Sequence, residues 1–189
     1  MPANRGDRNS ATPRHGARSL IERRTRDLAL FNLAIDSKLR GCDVVALRVE
    51  DVAPNGYAVD RATVRQKKTG RPVKFVLTDQ TRQAVDDFLK SAGKKPGDYL
   101  FTGRRGPSRA MTTRKYACLL ADWVASIGLD PKVFGTHSLR RTKATLIYRR
   151  TVNLRAMQLL LGHTKIESTV RHLGIEVDDA LAIAEQVDV

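Results

Sequence analysis

The chain has 189 residues, room for one ordinary domain and a tail. A hydrophobic content of 41% with no apolar run of membrane-spanning length argues against an integral membrane protein, and the arginine-bearing first residues lack the apolar core of an export signal; a soluble cytoplasmic protein is expected. The 34 Lys and Arg against 20 Asp and Glu leave a net charge of +14, which makes a polyanion the natural partner and a merely solvated basic surface the plainer alternative; the charge is spread too widely for one membrane-surface helix.

Residues 1–19 mix Pro, Gly, Ser, Asn and Arg without apolar periodicity and read as a disordered basic arm, with one domain over 20–189. Through Arg26, seven arginines face only Asp7 and Glu22, so this stretch suits phosphate tracking unless it is a vector-derived or solvated leader. Leu20 to Ile35 carries a broad apolar face and reads as a helix punctuated by Gly41. A short helix is expected over Asp43 to Leu47. Three strands follow, Arg48 to Val52, Ala62 to Gln66 and Val73 to Leu77, broken at Pro54-Asn55-Gly56 and Thr69-Gly70-Arg71-Pro72. The remainder reads as helices: Asp79 to Ala92 behind a Thr78 cap, Thr112 to Ile127, Thr136 to Arg150, Leu154 to Leu161, Ile166 to His172 and Asp178 to Val187. The expected fold is mainly α with a small three-stranded antiparallel sheet. Cys42 and Cys118 stand outside any CxxC pair, which argues against a disulfide framework or a zinc site; they are expected to be reduced core thiols.

Four clusters carry residue types suited to phosphodiester chemistry, which without a metal requires cationic donors for the non-bridging oxygens, an acid for the leaving oxygen and a nucleophile in line. Arg40 lies at a helix junction, with Asp43 three residues on to hold it rigid, and a guanidinium clamps two phosphate oxygens at once. Lys67 and Lys68 sit at a hairpin turn beside Thr69, Gly70 and Arg71, where a lysine could reach a groove and protonate a leaving 5′ oxygen. In Gly135-Thr136-His137-Ser138-Leu139-Arg140-Arg141, a cap at Thr136 would set His137 and Arg140 one turn apart beside a helix N-terminus. In the run from Leu160 to His172, Gly162 releases His163 into a turn and a new helix carries His172 about two turns on. Each cluster alone has a plain reading as solvated or capping charge.

The order and spacing of the four clusters together resemble the tyrosine recombinase (phage integrase) family, from about Leu20 to the C-terminus. The resemblance implies double-stranded DNA as partner and Arg40 as the first catalytic arginine, with Asp43 supporting it. Lys68 would be the hairpin lysine acting as general acid, with Lys67 the fallback. His137 and Arg140 correspond to the HxxR pair and His163 to the histidine of the LGH turn; Lys67, Arg71 and Arg141 would contact DNA. The family's nucleophile is a tyrosine that links covalently to a DNA 3′ phosphate, conserving the bond energy, so neither cofactor nor metal is implied. Its C-terminal helix, here about Ile175 to Val187, often docks on a neighbouring protomer, implying a DNA-dependent homo-oligomer.

Two departures stand out. Nine residues beyond His163, in the phase of the nucleophile, the chain has His172, while the tyrosines are Tyr57, Tyr99, Tyr116 and Tyr148. Tyr148 shares a helical face with Arg140 but lies roughly 12 Å along the axis from it, and reads as a core or interface residue. His172 marks either a disabled nucleophile position or a histidine nucleophile. The second departure is that only the basic arm precedes the catalytic fold, where the family has a further DNA-clamping domain. The competing readings are a DNA-binding regulator on the same fold and a metal-dependent nuclease using His137, His163 and His172, the latter weakened by the lack of ligand spacing and of acidic residues among them.

Overall fold

A computed structural model describes residues 13–103, 106 and 108–175, with side chains of the first helix from residue 23 onward. Helix α1 (Pro13–Ser37) opens on a proline, which suits a first helical turn, and buries Ala29, Leu30, Leu33 and Ala34, chiefly against α4 (Asp79–Ala92). It takes in residues 13–19, which the sequence reading assigned to the arm, while residues 1–12 lie outside the described residues. Thr78 caps α4 by accepting from the Thr81 amide, Thr112 does the same for α5 (Thr113–Ser126) through Lys115, and Asn153 for α7 (Leu154–Leu161) through Ala156. These side-chain caps set the three boundaries within a residue of where the sequence puts them.

The sheet has two strands, not three. β1 (Arg61–Arg65) and β2 (Pro72–Val76) pair antiparallel with Arg61 opposite Val76 and Arg65 opposite Pro72, burying Ala62, Val64, Val73 and Phe75 on one face. The expected third strand instead begins a short helix, α3 (Val49–Val52), because Asp51 Oδ2 turns back to accept from the Arg48 amide at 2.7 Å. The backbone groups around that helix start pair elsewhere: Leu100 donates to the Leu47 carbonyl at 2.8 Å and Val49 to the Asp98 carbonyl at 3.0 Å. Helix α2 (Gly41–Val44) ends earlier than expected.

Two apolar clusters organise the described residues. The larger joins α1 to α5 and the sheet around Leu30, Leu33, Phe75, Phe88, Phe101 and Tyr116. The smaller lies among α6 (Thr136–Thr151), α7 and α8 (Ile166–Leu173), built on Ala144, Met157, Leu161 and Leu173, with Tyr148 packed against it. Cys42 is partly buried and Cys118 exposed; both are free thiols, but, contrary to the expectation, neither belongs to the core. The expected helix Asp178 to Val187 lies outside the described residues. Among those described, no helix is long and apolar enough to cross a membrane.

Candidate active site

The approach to Arg40 is fixed by a buried carboxylate. Asp36, near the end of α1, accepts from the Thr78 amide at 2.7 Å and the Thr78 hydroxyl at 2.8 Å and pairs with Lys143 of α6. These bonds hold its carboxyl below the usual range against the opposing pull of burial. One residue past the helix, Lys38 takes a left-handed backbone conformation (φ 54°) and its buried ammonium donates to the Asp36 carbonyl at 2.6 Å. Burial, with Lys143 nearby, lowers its pKa to about 8. The chain then turns into α2 with Arg40 at the N-cap.

Arg40 Nη1 donates to Gln66 Oε1 at 2.7 Å. Gln66 is 1% exposed, and both ends of its amide are engaged: Oε1 also accepts from the Thr69 hydroxyl at 3.0 Å, and Nε2 donates to the Leu161 carbonyl at 3.2 Å. The same Leu161 carbonyl accepts from Arg140 Nη2 at 3.1 Å. Gln66 therefore joins three separate stretches of chain: the α2 start, the β1–β2 hairpin and the end of α7. Close packing there requires a glycine. Gly162 has φ +65°, and a Cβ at that point would lie 2.5 Å from Val73 Cγ2 and 3.2 Å from both amide atoms of Gln66.

Arg140, 3% exposed, points from the second turn of α6, whose N-cap is Gly135, one residue before the expected Thr136; Ser138 Oγ accepts from the Gly135 amide at 3.2 Å. Its Nη2 also meets His163 Nε2 at 3.3 Å. Because a guanidinium only donates, His163 Nε2 is the acceptor there, which places the ring proton on Nδ1, 3.1 Å from Thr169 Oγ1. Burial and the neighbouring charges of Arg140 and Arg40 push the His163 pKa down to about 4, consistent with that neutral tautomer. Arg140 itself is lowered to about 10 by burial and by Arg40. Among the described residues, neither arginine has a carboxylate ion-pair partner, and the buried Asp43 carboxylate offsets the charge of Arg140 only through space.

His172 stands edge-on to His163, ring centroids 5.4 Å apart at 81°, with its Nε2 buried and unpartnered. Burial, followed by Arg140, lowers its pKa to about 3, so the ring is neutral at pH 7. An open pocket of about 310 Å³ beside the pair is lined by His137, Arg141, His163, Ser168, Arg171 and His172. His137, Arg141, Lys67, Lys68 and Arg71 are exposed. Asp43 forms no ion pair with Arg40: its Oδ1 accepts from the Lys67 amide at 2.9 Å, so it holds the hairpin rather than the arginine. Among the described residues, no three His, Cys, Asp or Glu side chains are placed to share a metal ion.

The sequence pattern of the phage integrase family matches residues 18–175. The chain belongs to that family. It is 29% identical over 163 residues to the probable integrase/recombinase YoeC of Bacillus subtilis, spanning 86% of this chain and 85% of that protein. It is 31% identical over 153 residues to a tyrosine recombinase of Pseudothermotoga lettingae, spanning 79% of this chain and 50% of that one, so against this relative it covers about half the length. In fold it resembles the XerA recombinase (TM-score 0.67, 19% identity, 98% of this chain and 66% of that one) and XerH in its post-cleavage complex with palindromic difH substrate (TM-score 0.70, 20% identity, 87% and 47%).

Within this integrase-family chain, the structure gathers Arg40, Arg140, His163 and His172 into one recess, with His137 and Arg141 at its rim. Lys68 remains on the hairpin turn, its ammonium without a partner among the described residues. In the sequence Gln66 ends an expected strand and has no task of its own. Its one visible signal is a polar residue at an inward position of an alternating strand.

Proposed function

We propose that this chain is the catalytic domain of a metal-independent DNA strand-breaking and rejoining protein, impaired because His172 occupies the position of the nucleophile. The observation that carries this reading is the pair of guanidiniums of half-buried Arg40 and buried Arg140, neither ion-paired to a carboxylate, beside His163 and His172, a recess suited to one phosphodiester. Arg40, Arg140 and His163 stabilise charge on the non-bridging oxygens, Lys68 protonates the leaving 5′ oxygen and His137 assists proton transfer. Asp43 supports through the hairpin, and Lys67, Arg71, Arg141 and the basic N-terminal stretch hold the duplex. Imidazole projects less far than phenol, and a ring whose pKa is near 3 is a weak nucleophile, so His172 retains the recess without attacking from it.

The C-terminal segment joins protomers on DNA in this reading. An apolar groove lined by Leu28, Phe31, Trp123, Ile127, Leu129 and Phe134 offers a receiving surface, and sedimentation with and without duplex, before and after truncation at residue 175, tests it. The second reading, a DNA-binding regulator on the same fold acting in the cytoplasm, is favoured by the buried, unpartnered Nε2 of His172.

The deciding experiment is covalent trapping on a pool of nicked suicide duplexes. A stable adduct from His172→Tyr alone supports the impaired recombinase. An acid-labile adduct from the unmodified chain, lost in His172→Ala, would replace it with a histidine nucleophile. No adduct from either, with duplex binding retained, would favour the regulator.

A further inference from the structure

We propose that Gln66 is a positioning residue that aims Arg40 at the phosphate and couples it to Arg140 without placing a carboxylate against either guanidinium. The inference rests on the reading of the recess as a phosphodiester site. An arginine near the surface is commonly held by a carboxylate, which orients it but neutralises much of its charge. Here the task falls to a neutral amide. Gln66 Oε1 accepts from Arg40 Nη1 at 2.7 Å, and Nε2 donates at 3.2 Å to the Leu161 carbonyl that also receives Arg140 Nη2 at 3.1 Å. Only a group with an acceptor and a donor at opposite corners can face a guanidinium on one side and a carbonyl on the other, and an amide does so without net charge. Glutamate would repel the carbonyl and cancel one positive charge; methionine would fill the space and bond nothing.

Three surroundings show that the amide's place is specified. Thr69 Oγ1 donates to the same Oε1 at 3.0 Å, so the hairpin turn that carries Lys67 and Lys68 is tied to the orientation of Arg40. The backbone closes the turn on the same residue, with Gly70 N donating to the Gln66 carbonyl and Gln66 N to the Arg71 carbonyl, each at 2.8 Å. Gly162 leaves the gap into which the amide fits. Asp43, the acidic group bonded to this turn among the described residues, faces the Lys67 amide and forms no ion pair with Arg40.

Two substitutions in the full chain separate orientation from charge. Proton–nitrogen NMR of the guanidinium groups, without DNA, is expected to show Arg40 held with slow Nη rotation in the unmodified chain and in Gln66→Glu, and freely rotating in Gln66→Met. Titration with inorganic phosphate is expected to move the Arg40 and Arg140 signals in the unmodified chain and to lose that response in Gln66→Glu. With a mixed-sequence duplex, both variants are expected to bind about tenfold more weakly. In Gln66→Glu the slope of log affinity against log salt should also shrink by about one. Arg40 signals unmoved in Gln66→Met, or phosphate and duplex responses unchanged in Gln66→Glu, would overturn the proposal. Should Gln66→Met fail to fold, the isosteric Gln66→Glu decides alone. An unmodified chain that ignores duplex DNA counts against the recombinase reading, while the DNA-free measurements still decide the role of Gln66.

Discussion

The two sides of the recess are built to different standards. On the arginine side, Arg40, Gln66, Thr69, Leu161 and Arg140 form a continuous hydrogen-bonded chain, and the amide of Gln66 is satisfied at both ends. On the histidine side, His163 is held by Arg140 and Thr169, but His172 leaves a buried Nε2 without a partner. An unpaired buried polar atom costs roughly 1–3 kcal/mol, and both sides carry such atoms: Arg140 Nε, a free donor, with Asp43 Oδ2 on the first, and His172 Nε2, a bare ring nitrogen, on the second.

Breaking the arginine side should have the largest effect. In the His172→Tyr background, Arg140→Ala is expected to lower the rate of covalent adduct formation by about 10²–10³-fold, followed on a suicide duplex; a rate within a few-fold of the parent would remove Arg140 from transition-state stabilisation. Next comes Gly162→Ala, which combines a left-handed backbone with a Cβ 2.5 Å from Val73 Cγ2. Its expected cost is about 2–4 kcal/mol in urea unfolding, and a loss below about 1 kcal/mol would mean that the Gln66 pocket yields easily.

The histidine side answers in the other direction. Replacing His172 by Phe keeps a flat ring and removes the orphaned nitrogen, so stability at pH 7 should rise by about 1 kcal/mol; a clear loss in thermal unfolding would show that the imidazole has a partner in solution. The pH dependence sharpens this. His163 and His172 have native pKa values near 4 and 3, below the ordinary 6.5, so between these limits the unfolded chain binds more protons than the native one. Their contribution to stability is complete above about pH 6.5 and drains away as pH falls toward 3. The decline should be shallower in His172→Phe, and equal slopes in the two proteins would contradict the neutral buried imidazole. The smallest expected effect is Gly174→Ala, at about 1 kcal/mol: its φ is +69°, but a Cβ there meets only the mobile end of Arg141 at 3.0 Å. A cost matching that of Gly162→Ala would erase the distinction between the two sides.

What could be read from the sequence follows from how local each signal is. The helices behind Thr78, Thr112 and Asn153 carry their caps within three residues of the helix they start, and the alternation in Arg61–Arg65 and Pro72–Val76 matches the buried face seen. The false third strand arose because Arg48 to Val52 has strand-like composition, whereas its fate is decided by the Asp51 carboxylate turning back on Arg48 and by pairing with Asp98 and Leu100. The site residues Arg40, Arg140, His163 and His172 were legible as a spaced set, and they converge. The assignment of Asp43 to Arg40 failed on direction: three residues of separation within a short helix turned the carboxylate to the hairpin. Gln66 was not legible, since its partners lie 26 and 95 residues away and only the folded chain brings them together.

The division into a large and a small apolar cluster has a further consequence. Arg40 and Gln66 are borne by the large one, whereas His163 and His172 hang on a cluster whose buried apolar residues are Ala144, Met157, Leu161 and Leu173, and Arg140 lies between the two, beside Leu139 of the large one. So small a nucleus cannot persist undocked, and α7 and α8 with the later turns of α6 should open as one cooperative unit before the rest of the molecule unfolds. The recess is therefore whole only while that docking persists: a nascent or partly opened chain carries half of it, and the proposed phosphate site forms all at once with the closing of the domain.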